Sequence, residues 1–159
     1  MAIQVGDSIP SITLNQMTAE GPGPITTEEV FSGKKVVLFA VPGAFTPGCS
    51  QAHLPGYVVN ADAIKAKGVD TIACVSVNDA FVMGAWGDAQ NAEEILMLAD
   101  GNGEFTKALD LELDASGFGM GTRSQRYAMV VEDGKVTAMN VEPDAGVDVS
   151  AAEKILEVL

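Results

Sequence analysis

The sequence predicts an α/β architecture: a mixed central β-sheet flanked by helices, with an N-terminal extension. Apolar runs rich in β-branched residues recur at 36–41, 71–77 and 127–131, with a shorter one at 95–98. Their hydrophobicity is continuous rather than alternating, as in strands buried on both faces. Helical patterns separate the first of them, which is the arrangement that gives parallel strands joined by crossovers. Later, Glu132-Asp-Gly134 lies between two strand runs. It signals a hairpin, because Asp-Gly tolerates the positive φ of a tight turn.

In chain order, residues 3–31 supply extra strand and turn elements, with Gly21-Pro-Gly-Pro24 read as a short surface turn and Glu28-Glu29 as a solvated helix start. The strand at 36–41 leads to a helix over 48–67 ended by Gly68, which Pro55 should kink. After the strand at 71–77 comes a helix over 79–89, whose Phe81, Val82, Met83 and Trp86 should pack it on the sheet. Glu93-Glu94 reads as a second solvated helix start. The strand at 95–98, a helix over 103–109, a hairpin of 126–131 with 135–141, and a helix from Ser150 onward complete the chain. That order fits a thioredoxin-like fold, with residues 1–159 forming a single domain.

At 159 residues the chain is long enough to bury a core without disulfides. A formal charge of −13 with only nine Lys plus Arg argues against nucleic-acid or anionic-membrane partners, which need clustered cations. The two cysteines differ in local character, Cys49 in a turn and Cys74 inside an apolar run, unlike a secreted disulfide framework. The N-terminus lacks the basic start and apolar core of a signal peptide, and no apolar run approaches a membrane span. A soluble, cytoplasmic protein is expected.

The strand at 36–41 runs straight into Pro42-Gly-Ala-Phe-Thr-Pro-Gly-Cys49. Thr46 suits an N-cap, Pro47 the first helical position, and Cys49 then falls at the third, where backbone donors are unpaired. A thiolate there meets the positive end of the helix dipole, just beyond the C-terminal end of a buried strand. Cys74 has none of these features and reads as a buried hydrophobe. His53 follows Cys49 by four residues and could share its helix face, so a Cys–His nucleophile pair stands beside the alternative of a pocket-rim histidine. One histidine and two dissimilar cysteines do not make an ordinary closed zinc site, so no metal is expected.

Pro42, Thr46 and Cys49 match the Pro-x-x-x-Thr-x-x-Cys motif of peroxiredoxins. The longer string Val-Pro-Gly-Ala-Phe-Thr-Pro-Gly-Cys-Ser with His53-Leu-Pro-Gly56 resembles the peroxiredoxin-5 or type II branch. So do Val75-Ser-Val-Asn-Asp-Ala-Phe-Val82, Trp86, Gly121-Thr-Arg-Ser-Gln-Arg126 and Asn140-Val-Glu-Pro-Asp144. The resemblance implies reduction of hydrogen peroxide and alkyl hydroperoxides without metal, flavin or other cofactor. It implies Cys49 as the peroxidatic nucleophile, Thr46 and Arg126 as its polar partners, and Pro42 as the shield over the sulfur. Arg123 is left as a supporting or surface residue, and Phe45 and Phe118 as an apolar approach to the pocket. A homodimer across the active-site edge is also implied. Complete ionisation gains only about thirty-fold over an ordinary thiol at neutral pH, so fixed donors such as Arg126, Thr46 and the Cys49 N–H should supply the larger share of the rate.

Attack on peroxide would leave Cys49 as a sulfenic acid that a second thiol must resolve. Some animal relatives carry a resolving cysteine near the C-terminus, where this chain has Val149. Type II plant relatives share a cysteine at the place of Cys74, but a buried strand residue would have to leave its packing to reach Cys49. The expectation is a one-cysteine cycle resolved by glutathione, glutaredoxin or thioredoxin. Two other functions remain open: a redox-sensing or chaperone-like interaction protein, and a Cys–His hydrolase.

Overall fold

The computed structural model describes residues 2–144 and 146–159. Strands β1 (Thr13–Thr18) and β2 (Gly21–Thr26) form an N-terminal hairpin, followed by the short helix α1 (Thr27–Phe31). Then β3 (Lys35–Ala40), α2 (Leu54–Lys65), β4 (Thr71–Ser76), α3 (Ala80–Ala89), β5 (Ile95–Ala99) and α4 (Glu104–Ala108) alternate. A small hairpin of β6 (Glu112–Asp114) with β7 (Thr122–Ser124) precedes the hairpin of β8 (Tyr127–Glu132) with β9 (Lys135–Val141), and α5 (Ala152–Val158) follows.

Seven of these strands form one sheet in the order β2-β1-β5-β4-β3-β8-β9. Its centre, β3-β4-β5, is parallel, and the hairpins add antiparallel strands on both sides. Strand alternation splits the core into two layers. Val37, Phe39 and Val41 pack with Tyr57, Trp86 and Ile155, while Val36, Leu38 and Ala40 pack with Phe31, Phe105 and Met129. Each large side chain so buried contributes about 1.5–3 kcal/mol, which is why the central strands carry no polar face.

The 132–135 turn is as expected: Glu132 pairs with Lys135, and Asp133 and Gly134 both have positive φ, 49° and 77°. Gly21-Pro-Gly-Pro24 is not a turn but part of β2. As the outermost strand of the sheet, β2 tolerates Pro22 and Pro24, whose missing N–H groups would break an interior ladder. Helix α1 has its acidic first turn, with Thr26 and Glu29 forming a capping box. Glu93-Glu94 instead lies in the turn before β5, where Glu94 pairs with Lys65. Met83 and Trp86 pack α3 on the sheet, but Phe81 points to solvent. The β6–β7 hairpin was not foreseen, because its short, mostly polar strands carry no hydrophobic period.

Candidate active site

The helix that follows β3 does not begin as an ordinary α-helix. Pro47 is its first helical residue, and the Ser50 N–H bonds the Thr46 carbonyl at 2.9 Å. From Cys49 to His53 the turn widens to π, the Leu54 N–H reaching back to the Cys49 carbonyl. Pro55 accounts for the widening: it has no N–H for the Gln51 carbonyl and its ring would collide with that group, so the preceding turn opens before α2 proper starts at Leu54. The predicted kink is thus a π-turn, and it carries both Cys49 and His53.

Cys49 is fully buried. The Thr46 hydroxyl lies 2.9 Å from its sulfur and the Arg126 Nη2 3.3 Å. Thr46 was expected to cap the helix, but its hydroxyl is directed at the sulfur and at the Gly43 carbonyl, 2.7 Å away. One hydroxyl proton serves one acceptor at a time. With a protonated thiol, the S–H donates to Oγ1 while the hydroxyl bonds Gly43; with a thiolate, the hydroxyl turns to Sγ. Arg126 arrives from 77 residues away because β3 and β8 are antiparallel neighbours, with Ala40 opposite Tyr127. The residue before β8 therefore meets the residues just after β3. Pro42, Thr46 and Arg126 line a groove of about 550 Å³ whose walls include Leu113, Phe118 and Met120. All four sequence-predicted site residues thus lie together.

Arg126 is itself buried and forked. Its Nη1 is 2.9 Å from Nδ1 of His53, which is buried too, and whose Nε2 is 3.0 Å from the Ser150 carbonyl. A carbonyl only accepts, so Nε2 carries the proton and Nδ1 accepts from the guanidinium. Burial, with the Arg126 charge beside it, holds His53 down to about 4, so the ring is neutral at physiological pH. Ser150 is anchored by Glu142, whose Oε2 accepts from the Ser150 N–H, the Ser150 hydroxyl and the Asp148 N–H at 2.6–2.8 Å. Burial pushes the Glu142 carboxyl up, but these hydrogen bonds outweigh it and keep the group below its ordinary value. His53 bonds Arg126 and not the sulfur, so the structure gives no support to a Cys–His hydrolase pair. The sequence signal for His53 was its spacing from Cys49; for Glu142 there was only its place in a motif block.

Arg123 does not bond the sulfur. Its Nε and Nη1 donate to the carbonyls of Met120 and Val77, at 2.9 and 3.1 Å, tying two loops together. Phe118 stands at the groove, whereas Phe45, at a strained φ of 66°, is exposed outside its lining and faces Trp86. Cys74 is fully buried on β4 in the same core layer as Cys49, and burial, then the neighbouring Cys49, push its thiol well above the ordinary range. Among the described residues no group of three His, Cys, Asp or Glu side chains is placed to hold a metal ion, and no helix is long and apolar enough to cross a membrane.

A buried cysteine at a helix start on a thioredoxin-like sheet, held by a hydroxyl and a guanidinium, marks a thiol oxidoreductase. The comparisons make this specific. The Redoxin family model matches residues 4–156. The chloroplastic peroxiredoxin-2E-2 of Oryza sativa is 50% identical across 99% of this chain and 72% of its own length. The structure of reduced Prx3 from Vibrio vulnificus in complex with H2O2 is 64% identical, with a TM-score of 0.95 over 98% of each chain. Peroxiredoxin 5 from Alvinella pompejana is 45% identical with a TM-score of 0.80, covering 91% of this chain and 92% of that one. The chain belongs to the Redoxin family as a peroxiredoxin of the peroxiredoxin-5 or type II branch. It is a thiol-dependent peroxidase.

Proposed function

We propose that Cys49 is the peroxidatic nucleophile, with Thr46 and Arg126 polarising the peroxide and Pro42 shielding the sulfur. The observation that carries this is the convergence of Thr46 Oγ1 and Arg126 Nη2 on one buried sulfur at 2.9 and 3.3 Å. The thiolate attacks the terminal oxygen of ROOH; the S–O bond forms, the O–O bond breaks, and RO⁻ leaves to take a proton from water. Charge builds on the leaving oxygen, where a buried guanidinium is worth far more than in water. The mostly apolar groove beside Thr46 and Arg126 supports acceptance of alkyl hydroperoxides as well as hydrogen peroxide.

Burial of Cys74 in the sheet supports an external reductant. Cys74 is the only other cysteine and is buried in the sheet, so the sulfenic acid condenses with an external thiol, releasing water, and a second thiol displaces Cys49 from the mixed disulfide. Glutathione with glutaredoxin, or thioredoxin, fills that role in this reading, in the cytoplasm. Stopped-flow oxidation of Cys49 by several peroxides, followed by reduction with each thiol system, tests the cycle. Rates no faster than a free thiol would overturn it. A slow reaction with strong capture of partner proteins would favour the redox-sensing alternative.

A homodimer is part of the same proposal. Phe45, Phe81 and Phe118 are all exposed. Their segments meet around Val77 and Asn78, through the Ala44 N–H to Asn78 bond and the Arg123 contacts to Val77 and Met120. Three exposed aromatics on adjoining segments favour a shared apolar interface. Phe81→Glu should shift the protein to monomer in sedimentation velocity; an unchanged dimer would place the interface elsewhere.

A further inference from the structure

We propose that His53 is a positioning residue that orients the Arg126 guanidinium through a neutral imidazole acceptor, leaving the arginine charge free for the sulfur and the departing oxygen. The inference rests on the reading of Arg126 as the polarising cation. Three observations carry it. Among the described residues, Arg126 has two side-chain hydrogen-bond partners, the Cys49 sulfur and His53 Nδ1, and its buried Nε has none. Without His53, the guanidinium would be directed by the sulfur alone. Both partners of the ring are then matched in polarity: Nε2–H donates to the Ser150 carbonyl, so the lone pair of Nδ1 must face the arginine. Finally, the Ser150 carbonyl is fixed twice over, by the Tyr57 hydroxyl at 2.7 Å and by the Glu142 carboxylate that binds the Ser150 N–H and hydroxyl.

The chemistry explains why an imidazole stands there. A buried arginine is most often held by a carboxylate, which fixes its geometry but cancels its charge. An uncharged acceptor fixes geometry and cancels nothing. The carboxylate of this cluster, Glu142, is set one step back, bound to Ser150 and not to Arg126. Orientation is then rigid while the positive field at Cys49 is kept.

The test compares two reactions of one thiolate. Oxidation by hydrogen peroxide needs the O–O bond polarised by Arg126, whereas alkylation by iodoacetamide needs only the thiolate. In His53→Leu, which fills the same volume without an acceptor, peroxide oxidation in stopped flow should fall about a hundredfold, as when an aimed donor is lost, and alkylation by less than tenfold. His53→Gln keeps a neutral acceptor and a donor and should recover to within a few-fold of the parent. His53→Ala, which relieves any crowding, should show the same split. Equal losses in both reactions, no loss in either, or a glutamine variant as slow as leucine would overturn the proposal. So would failure of both apolar variants to fold while glutamine folds, since that would mark a packing role. Arg126→Gln, run alongside, separates the two claims. If it keeps the parent rate, the underlying reading of the site fails; if it is slow while His53→Leu is fast, only the positioning role fails.

Discussion

Arg126 and Cys49 meet inside the protein, Nη2 to Sγ at 3.3 Å, although 77 residues separate them in sequence. Antiparallel pairing of β3 with β8 makes the contact, and among the described residues neither side-chain partner of the arginine is a carboxylate. Replacing the guanidinium by a shorter, neutral amide should be costly. Arg126→Gln is expected to slow peroxide oxidation of Cys49 by 10²–10³-fold, measured by stopped flow under single-turnover conditions.

Arg123 provides the contrast. It binds the Met120 and Val77 carbonyls and not the sulfur, so Arg123→Gln should leave the oxidation rate within a few-fold of the parent. Its cost should appear in urea denaturation, at about 1–2 kcal/mol for two lost hydrogen bonds.

Thr46 acts through its hydroxyl alone. Thr46→Val, which keeps the shape, should lower the oxidation rate by about ten- to a hundredfold, and Thr46→Ser should restore most of it. Single-turnover kinetics across the three proteins checks the order.

Cys74 should be dispensable for turnover. Cys74→Ser is expected to keep multiple-turnover activity with glutathione and glutaredoxin, while losing about 1–3 kcal/mol of stability because a buried hydroxyl replaces an apolar thiol. Collapse of turnover with intact first-step oxidation would assign Cys74 to resolution.

His53 makes stability depend on pH in a known direction. Its folded value is lowered to about 4 by burial and Arg126, against about 6.5 unfolded. Its contribution is whole above pH 6.5 and is lost as pH falls toward 4, because the unfolded chain takes up a proton that the folded one refuses. The slope is roughly 1.4 kcal/mol per pH unit in that window. Between pH 7 and pH 5 the parent should lose about 2 kcal/mol more than His53→Gln in urea denaturation.

The grouping of Pro42 and Thr46 around Cys49, the proposed nucleophile, was legible because all three lie in one short stretch whose turn and helix-start chemistry is local. Arg126 was reached through resemblance and through its place at the mouth of the strand that starts at Tyr127; its distance from the sulfur, and the contacts that hold Arg123 elsewhere, come from strand pairing and loop packing. The contact of His53 with Arg126 could not be read at all. It depends on the π-turn ahead of Pro55 and on the Ser150 carbonyl held by Glu142, both products of tertiary packing. The prolines of β2 misled for a related reason, because Gly-Pro pairs signal turns except on a sheet edge, and edges are set by topology.

In the proposed mechanism fixed donors, chiefly Arg126, and not ionisation of Cys49 alone, make this thiol fast toward peroxides. Stopped-flow oxidation by hydrogen peroxide of the parent and of Arg126→Gln, each normalised to the iodoacetamide alkylation rate of the same protein, tests it most directly. The structure predicts a normalised rate at least a hundredfold lower in the variant. Equal normalised rates would contradict it.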